Sequence, residues 1–250
     1  MKNIVMKGIY FIAVAGFLIS GFVLFRVWRE YKANEESYAR MQVYEPKIDS
    51  YGNGNLKFNI SDYQDLKSVN SDLIAWIRIP NTVINYPIVQ NPNDEYYLTH
   101  NFEKQENDGG TIFAESAIKN PFEDENTILH GHNMRDGSMF AGLNQYKEED
   151  FFKNNKNIYI STKNACYIYE VFSAYVEKVN ENPYRYGFSS NEEYVKFLNE
   201  LKNKSMFQSN VDNLKETDKI ITLSTCSYEV NDGRLLVHGK LISKEVFGEN

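Results

Sequence analysis

The chain has 250 residues, 34 acidic against 27 basic side chains, a net charge of −7 and a pI near 5.3. That balance excludes a general nucleic-acid binder, which needs a basic face. Two cysteines exclude a disulfide-rich scaffold, while 42% hydrophobic residues, with 16 Phe and 18 Tyr, supply a substantial core.

In chain order, Gly8 to Phe25 is an uncharged apolar run, with Lys2 and Lys7 before it and Arg26, Arg29 and Lys32 after. Its length suits a helix crossing the hydrocarbon core of a bilayer. A cleaved signal peptide is the rival reading, because Ala13-Val14-Ala15 resembles a cleavage site. That tripeptide falls inside the run rather than after it, so an uncleaved signal anchor is expected. Positive charge on both flanks leaves orientation open. The expected division is a short tail (1–7), a transmembrane anchor (8–25), a juxtamembrane helical segment (26–59) and a folded domain (60–250).

Glu30 to Met41 is charged and helical in pattern, with Tyr31, Tyr38 and Met41 as apolar positions. Lys47 to Asn55, with Ser50, Gly52 and Gly54, reads as a loop. Ser61 with Gln64 fits a capping box opening a short helix towards Val69. Strands are predicted at Leu73–Ile79, Val83–Val89, Thr111–Ala114 and Thr127–His132, with turn signals between them at Asn81, Asn91-Pro92-Asn93 and Asp108-Gly109-Gly110. A short helix at Met139–Tyr146 precedes strands at Asn157–Ser161 and Cys166–Val176. From Glu177 to Asp218 the strand pattern stops. Ser190 with Glu193 caps a helix of about four turns there, whose Tyr194, Phe197, Leu198 and Leu201 form a core-facing stripe. Many short, punctuated strands point to a barrel or sandwich.

The chemistry concentrates near the end. A β-branched strand, Lys219 to Leu223, runs on to Cys226, then a loop with the turn signal Asn231-Asp232-Gly233 leads to Arg234 and an alternating strand, Leu235 to Ile242. This reads as an antiparallel hairpin that sets a thiol against a guanidinium. A permanent cation beside a cysteine favours thiolate, the nucleophilic form, so Cys226 is a candidate nucleophile. A histidine must handle protons. His130 and His132 are two apart and share a strand face, so periodicity cannot separate them. His238 alternates within the last strand and reads as a hydrogen-bonded wall residue, and the four histidines lack metal-ligand spacing. Cys166 reads as a packed strand residue; a Cys166–Cys226 disulfide depends on geometry that sequence cannot test.

The pair T-L-S-T-C with Arg234 eight residues on, and G-H-N-M upstream, resembles the active site of sortases, the cysteine transpeptidases of Gram-positive cell surfaces. The likeness continues through Asn85-Tyr86-Pro87-Ile88-Val89-Gln90, Tyr96-Tyr97-Leu98-Thr99-His100 and Gly110-Thr111-Ile112-Phe113, spans roughly residues 60 to 245, and is nearest to class B. It implies a mainly β fold: a closed sortase-type barrel with N-terminal helices and an inserted helix before the cysteine strand, preceded by one transmembrane helix. The family sets its catalytic histidine between a small and a short polar residue, which matches Gly131-His132-Asn133. The implied catalytic set is His132, Cys226 and Arg234, with Ser224 and Thr225 as supports and Tyr184 helping to line the substrate groove. Further implications are a Cys thioester, secreted substrates with a C-terminal sorting signal of N-P-x-T-N type, a peptidoglycan-precursor amine as acceptor, no cofactor, and a single-pass membrane protein with its catalytic domain outside. A membrane-tethered hydrolase using the same residues and an inactive surface binding module are the alternatives. A pilin-polymerising sortase is disfavoured, since such members usually carry a lid and a C-terminal membrane segment.

Overall fold

In the computed structural model, which describes residues 2–48, 56–181 and 183–247, the chain opens with one unbroken helix, α1 (Lys2–Gln42). The two helical stretches expected at 8–25 and 30–41 are therefore continuous, because no Pro or Gly interrupts the residues between them. The stretch Val5–Gln42 contains a span long and apolar enough to cross a membrane, and none of that span is buried. Further on, Asn34, Ser37, Tyr38 and Met41 are buried at the i, i+3, i+4, i+7 spacing of a single helix face. Ser37 Oγ donates to Glu103 Oε2 at 2.9 Å, Arg40 Nη2 pairs with the same carboxylate at 2.7 Å, and the Tyr38 hydroxyl donates to the Gly110 carbonyl.

Two short strands follow, β1 (Lys47–Ile48) and β2 (Leu56–Lys57), paired antiparallel; the loop expected at Lys47–Asn55 otherwise lies outside the described residues. Helix α2 (Ile60–Val69) is capped by Asn59, not by Ser61. Asn59 has extended backbone angles and its Oδ1 accepts from Ser61 N at 3.1 Å, whereas Ser61 already lies inside the first turn.

Eight strands make a closed barrel: β3 (Leu73–Arg78), β4 (Asn85–Val89), β5 (Ile112–Ala114), β6 (Asn126–His130), β7 (Asn157–Ser161), β8 (Ala165–Lys178), β9 (Ile220–Ser227) and β10 (Gly233–Val246). Their order around the barrel is β10-β8-β7-β3-β4-β5-β6-β9, parallel only at β4–β5 and β6–β9. Closure leaves no barrel edge exposed to pair with another chain. The expected strand Thr127–His132 ends at His130, so His132 sits in the loop beyond it, where Asn133 bridges to Met139. The helix expected at Met139–Tyr146 is a 3-10 helix, Phe140–Lys147, and runs into α3 (Glu149–Asn154).

Helix α4 (Asn191–Lys204) is inserted before β9 as the sequence predicts. Ser190 Oγ accepts from Glu193 N at 3.2 Å, and the Glu193 carboxylate reaches back to Ser189 N at 3.0 Å, one residue earlier than a regular capping box. Its buried stripe of Tyr194, Phe197, Leu198 and Leu201 packs on Phe172, Tyr175, Ile220 and Leu236. Each such side chain contributes about 1.5–3 kcal/mol before ordering costs. This cover explains why β9 is buried on both faces from Ile220 to Thr225, and only Cys226 is partly open.

Candidate active site

The β9–β10 register sets Cys226 directly opposite Arg234. On the other side of β9, parallel pairing with β6 places His130 beside Ser224, so the residues after His130 pass over the end of β9. Three bonds fasten them there. Gly131 N donates to Ser224 O at 3.1 Å, Thr225 Oγ1 to Gly131 O at 2.8 Å, and Asn133 Nδ2 to Cys226 O at 2.7 Å. Asn144 Nδ2 holds Asn133 Oδ1 at 2.9 Å, which orients that amide. The two chain segments carrying His132 and Cys226 are thus cross-linked through backbone carbonyls.

His132 is half-buried and its Nε2 lies 2.7 Å from the Leu98 carbonyl. A carbonyl only accepts, so Nε2 carries a hydrogen and Nδ1 is left for proton exchange. Gly110 allows this approach. Its φ is +59°, and a Cβ there would lie 2.4 Å from Tyr97 O and 3.1 Å from His132 Cδ2.

All six residues singled out in the sequence, His132, Cys226, Arg234, Ser224, Thr225 and Tyr184, line one open cleft of about 290 Å³. Tyr184 stands at its wall, its hydroxyl 2.8 Å from Ser224 Oγ. Burial pushes the Tyr184 hydroxyl above its ordinary range, and the Ser224 bond and the Arg234 cation pull partly back. Arg234 spends one N–H on the Gly233 carbonyl at 3.0 Å and has further donors to offer.

His130 differs from His132 in its commitments. Its Nε2 lies 2.7 Å from Glu115 Oε2, its ring stacks on Phe113 at 5.1 Å, and Tyr184 meets it edge-on at 4.9 Å. His100 stacks on Tyr96 at 4.1 Å outside the cleft, and His238 is wholly buried with Nδ1 3.0 Å from Thr222 Oγ1. The disulfide considered for Cys166 and Cys226 is not formed: Cys226 is a free thiol in the cleft, whereas Cys166 is buried in the β7–β8 ladder. Among the described residues, no group of three or more His, Cys, Asp or Glu is placed to hold a metal ion.

Sequence reasoning passed over Asn133, Glu115 and the Leu98 carbonyl. Asn133 was in view as the short polar residue after His132. A role played by a backbone carbonyl leaves no side-chain signal.

Residues 77–242 match the Sortase domain family. The chain is 32% identical over 98% of its length to sortase B of Listeria monocytogenes, of which it covers 99%. Its fold superposes on sortase B of B. anthracis with a TM-score of 0.74 at 32% identity, over 86% of this chain and 99% of that one. A Staphylococcus aureus sortase B–substrate complex superposes with a TM-score of 0.72 at 31% identity, over 86% of this chain and 97% of that one. With likeness running almost end to end, the chain belongs to the sortase family, on its class B branch, and is a cysteine transpeptidase.

Proposed function

We propose that His132, Cys226 and Arg234 carry the acyl transfer, and that the substrates are secreted proteins bearing a C-terminal sorting motif. The observation that supports this most is the cross-strand register of Cys226 with Arg234, in one cleft with a histidine whose tautomer is set by Leu98.

In the proposed sequence the Cys226 thiolate attacks the scissile backbone carbonyl and a C–S bond forms. The oxyanion that develops is stabilised by Arg234, a preorganised donor whose removal typically costs about 10²–10³ in rate. The C–N bond then breaks, and protonated His132 donates to the departing amine, which would otherwise be a poor leaving group. The thioester is attacked by a peptidoglycan-precursor amine, His132 accepts its proton, and the thiolate departs. No redox or nucleotide cofactor enters these steps. Ser224, Thr225 and Tyr184 support and line the donor side of the cleft.

The apolar residues 8–25 serve as a membrane anchor, with residues 60–250 as a catalytic domain on the outer face. Secreted substrates and wall precursors meet at that surface, so tethering raises their local concentration.

The test uses the full chain in detergent with a panel of sorting-motif peptides, N-P-x-T-N types included, with and without an added amine. Mass spectrometry should find a peptide–amine conjugate that is lost in Cys226→Ala. Free acid as the sole product, whatever amine is added, would favour a tethered hydrolase. A Cys226 inert towards thiol-reactive probes would overturn the mechanism.

A further inference from the structure

With residues 8–25 as a membrane anchor, the reading proposed above and the one on which this inference rests, α1 runs without a break from the bilayer to its docking face at Asn34, Ser37, Tyr38 and Met41. A continuous helix fixes height above the lipid at about 1.5 Å per residue. Val27 and Tyr31 stand two and six residues past Phe25, so about 3 and 9 Å beyond the apolar run. Both line one opening of about 330 Å³ together with Arg135, from the loop after β6, and Tyr228, from the β9–β10 loop. The headgroup layer of one leaflet is about 5–8 Å deep. Arg135 and Tyr228 are therefore held at the height of lipid headgroups.

The side chains at that height suit a lipid surface in two further ways. The first is aromatic. Tyr228 is 77% exposed, with Val230 also exposed on the same loop, and on α1 the exposed Trp28 packs against Phe25 at 5.9 Å. Tryptophan and tyrosine favour the boundary between hydrocarbon and water, where an apolar ring and a polar tip are both accommodated. The second is charge. In a chain of net charge −7, Arg26, Arg29, Lys32 and Arg135 are all exposed and gather at this end of α1. Glu30 is paired with Arg26 at 3.3 Å, and Glu229 of the β9–β10 loop with Lys147 at 2.6 Å. Among the described residues, Asp108 is the one carboxylate in the lining of the opening without an ion pair, so cations predominate.

We propose that the face formed by residues 26–32 of α1, the loop carrying Arg135 and the β9–β10 loop rests on an anionic phospholipid surface. Arg135 and the α1 cations meet lipid phosphates, and Tyr228 and Trp28 set their rings at the headgroup boundary. The same face holds the catalytic loops together. The Tyr228 hydroxyl donates to Asn133 O at 3.2 Å, and Asn133 Nδ2 donates to Cys226 O at 2.7 Å. The cleft that contains Cys226 thus lies at the bilayer end of the barrel.

The test uses the full chain in phosphatidylcholine vesicles, with or without phosphatidylglycerol, carrying the photo-crosslinker benzoylphenylalanine at position 17, 228 or 43 in turn. Phospholipid adducts are measured by mass spectrometry after illumination. Position 17, inside the apolar run, should capture lipid in both vesicle types. Position 228 should capture at least about fivefold more than position 43, which is exposed just past the far end of α1, about 25 Å beyond Phe25. Phosphatidylglycerol should raise capture at 228 at least about threefold. A seven-residue polar helical insertion between Phe25 and Arg26 lifts the domain by about 10 Å, turns it by only about 20° and leaves every barrel residue in place. Capture at 228 should then fall to the level at 43. Capture at 17 with no excess at 228 over 43, or an excess that survives the insertion, would overturn the surface. Equal capture at 228 in the two vesicle types would overturn the part given to the cations. No capture at 17 would instead remove the anchor reading, and this surface with it.

Discussion

Acidification should weaken the barrel through a single histidine, His238 on β10. Its ring is wholly buried, 5.4 Å from the Tyr175 ring and 6.1 Å from that of Phe172. Thr222 Oγ1 donates its one hydrogen to Asn126 Oδ1 at 2.9 Å and therefore accepts from His238 Nδ1 at 3.0 Å. That sets the Nδ1–H tautomer and leaves Nε2 as a buried lone pair without a partner. Burial, assisted by the Lys204 cation, lowers the His238 pKa from 6.5 to about 3. Below about pH 6.5 the unfolded chain binds a proton there that the folded chain refuses, so stability falls as pH drops towards 3. At pH 5, about 1.5 pH units below the unfolded value, this amounts to roughly 2 kcal/mol. His238→Gln removes the titration. Urea unfolding of the detergent-solubilised chain at pH 7.5 and pH 5 should show the unaltered protein losing roughly 2 kcal/mol more than the variant. Equal losses would refute the reasoning, because His238 would then accept its proton in the folded state.

Three substitutions probe the cleft. Thr225→Val keeps the volume but strands the Gly131 carbonyl beside His132, and should cost about 1–3 kcal/mol, or roughly 2–12 °C in Tm, with kcat down about tenfold. Thermal melts and steady-state kinetics check both; an unchanged kcat would remove Thr225 as a positioning residue. Tyr184→Phe keeps the ring against His130 but loses the Ser224 bond, so donor KM should rise about 3–10-fold while kcat stays within about twofold. Arg234→Lys retains charge without the planar fork and should lower kcat by about 10²–10³ with little change in Tm. Near-normal turnover would exclude an oxyanion role for Arg234.

The hairpin was legible because its turn signal and strand pattern fix the register that brings Cys226 opposite Arg234. Helix α4 was legible for a similar reason: Tyr194, Phe197, Leu198 and Leu201 keep strict helical spacing. By contrast, β9 lost its alternation because α4 covers its outer face, and only the β-branched run marked it as a strand. The α1 docking face escaped notice because half of it is polar: Asn34 and Ser37 share it with Tyr38 and Met41, so hydrophobic periodicity records only part of the stripe. Strand periodicity left His130 and His132 equivalent. They differ only in three dimensions, where His130 is the last residue of β6 and binds Glu115, and His132 turns into the loop against Leu98.

The most direct test of the central claim is capture of the acyl-enzyme. Full-length protein mixed with a sorting-motif peptide, quenched in acid at early times and analysed by intact and peptide mass spectrometry, should gain the mass of the donor's acyl portion. The adduct should map to Cys226, be cleaved by hydroxylamine and be discharged on adding an amine. Product formation by Cys226→Ala, or turnover with the adduct on another residue, would contradict the account.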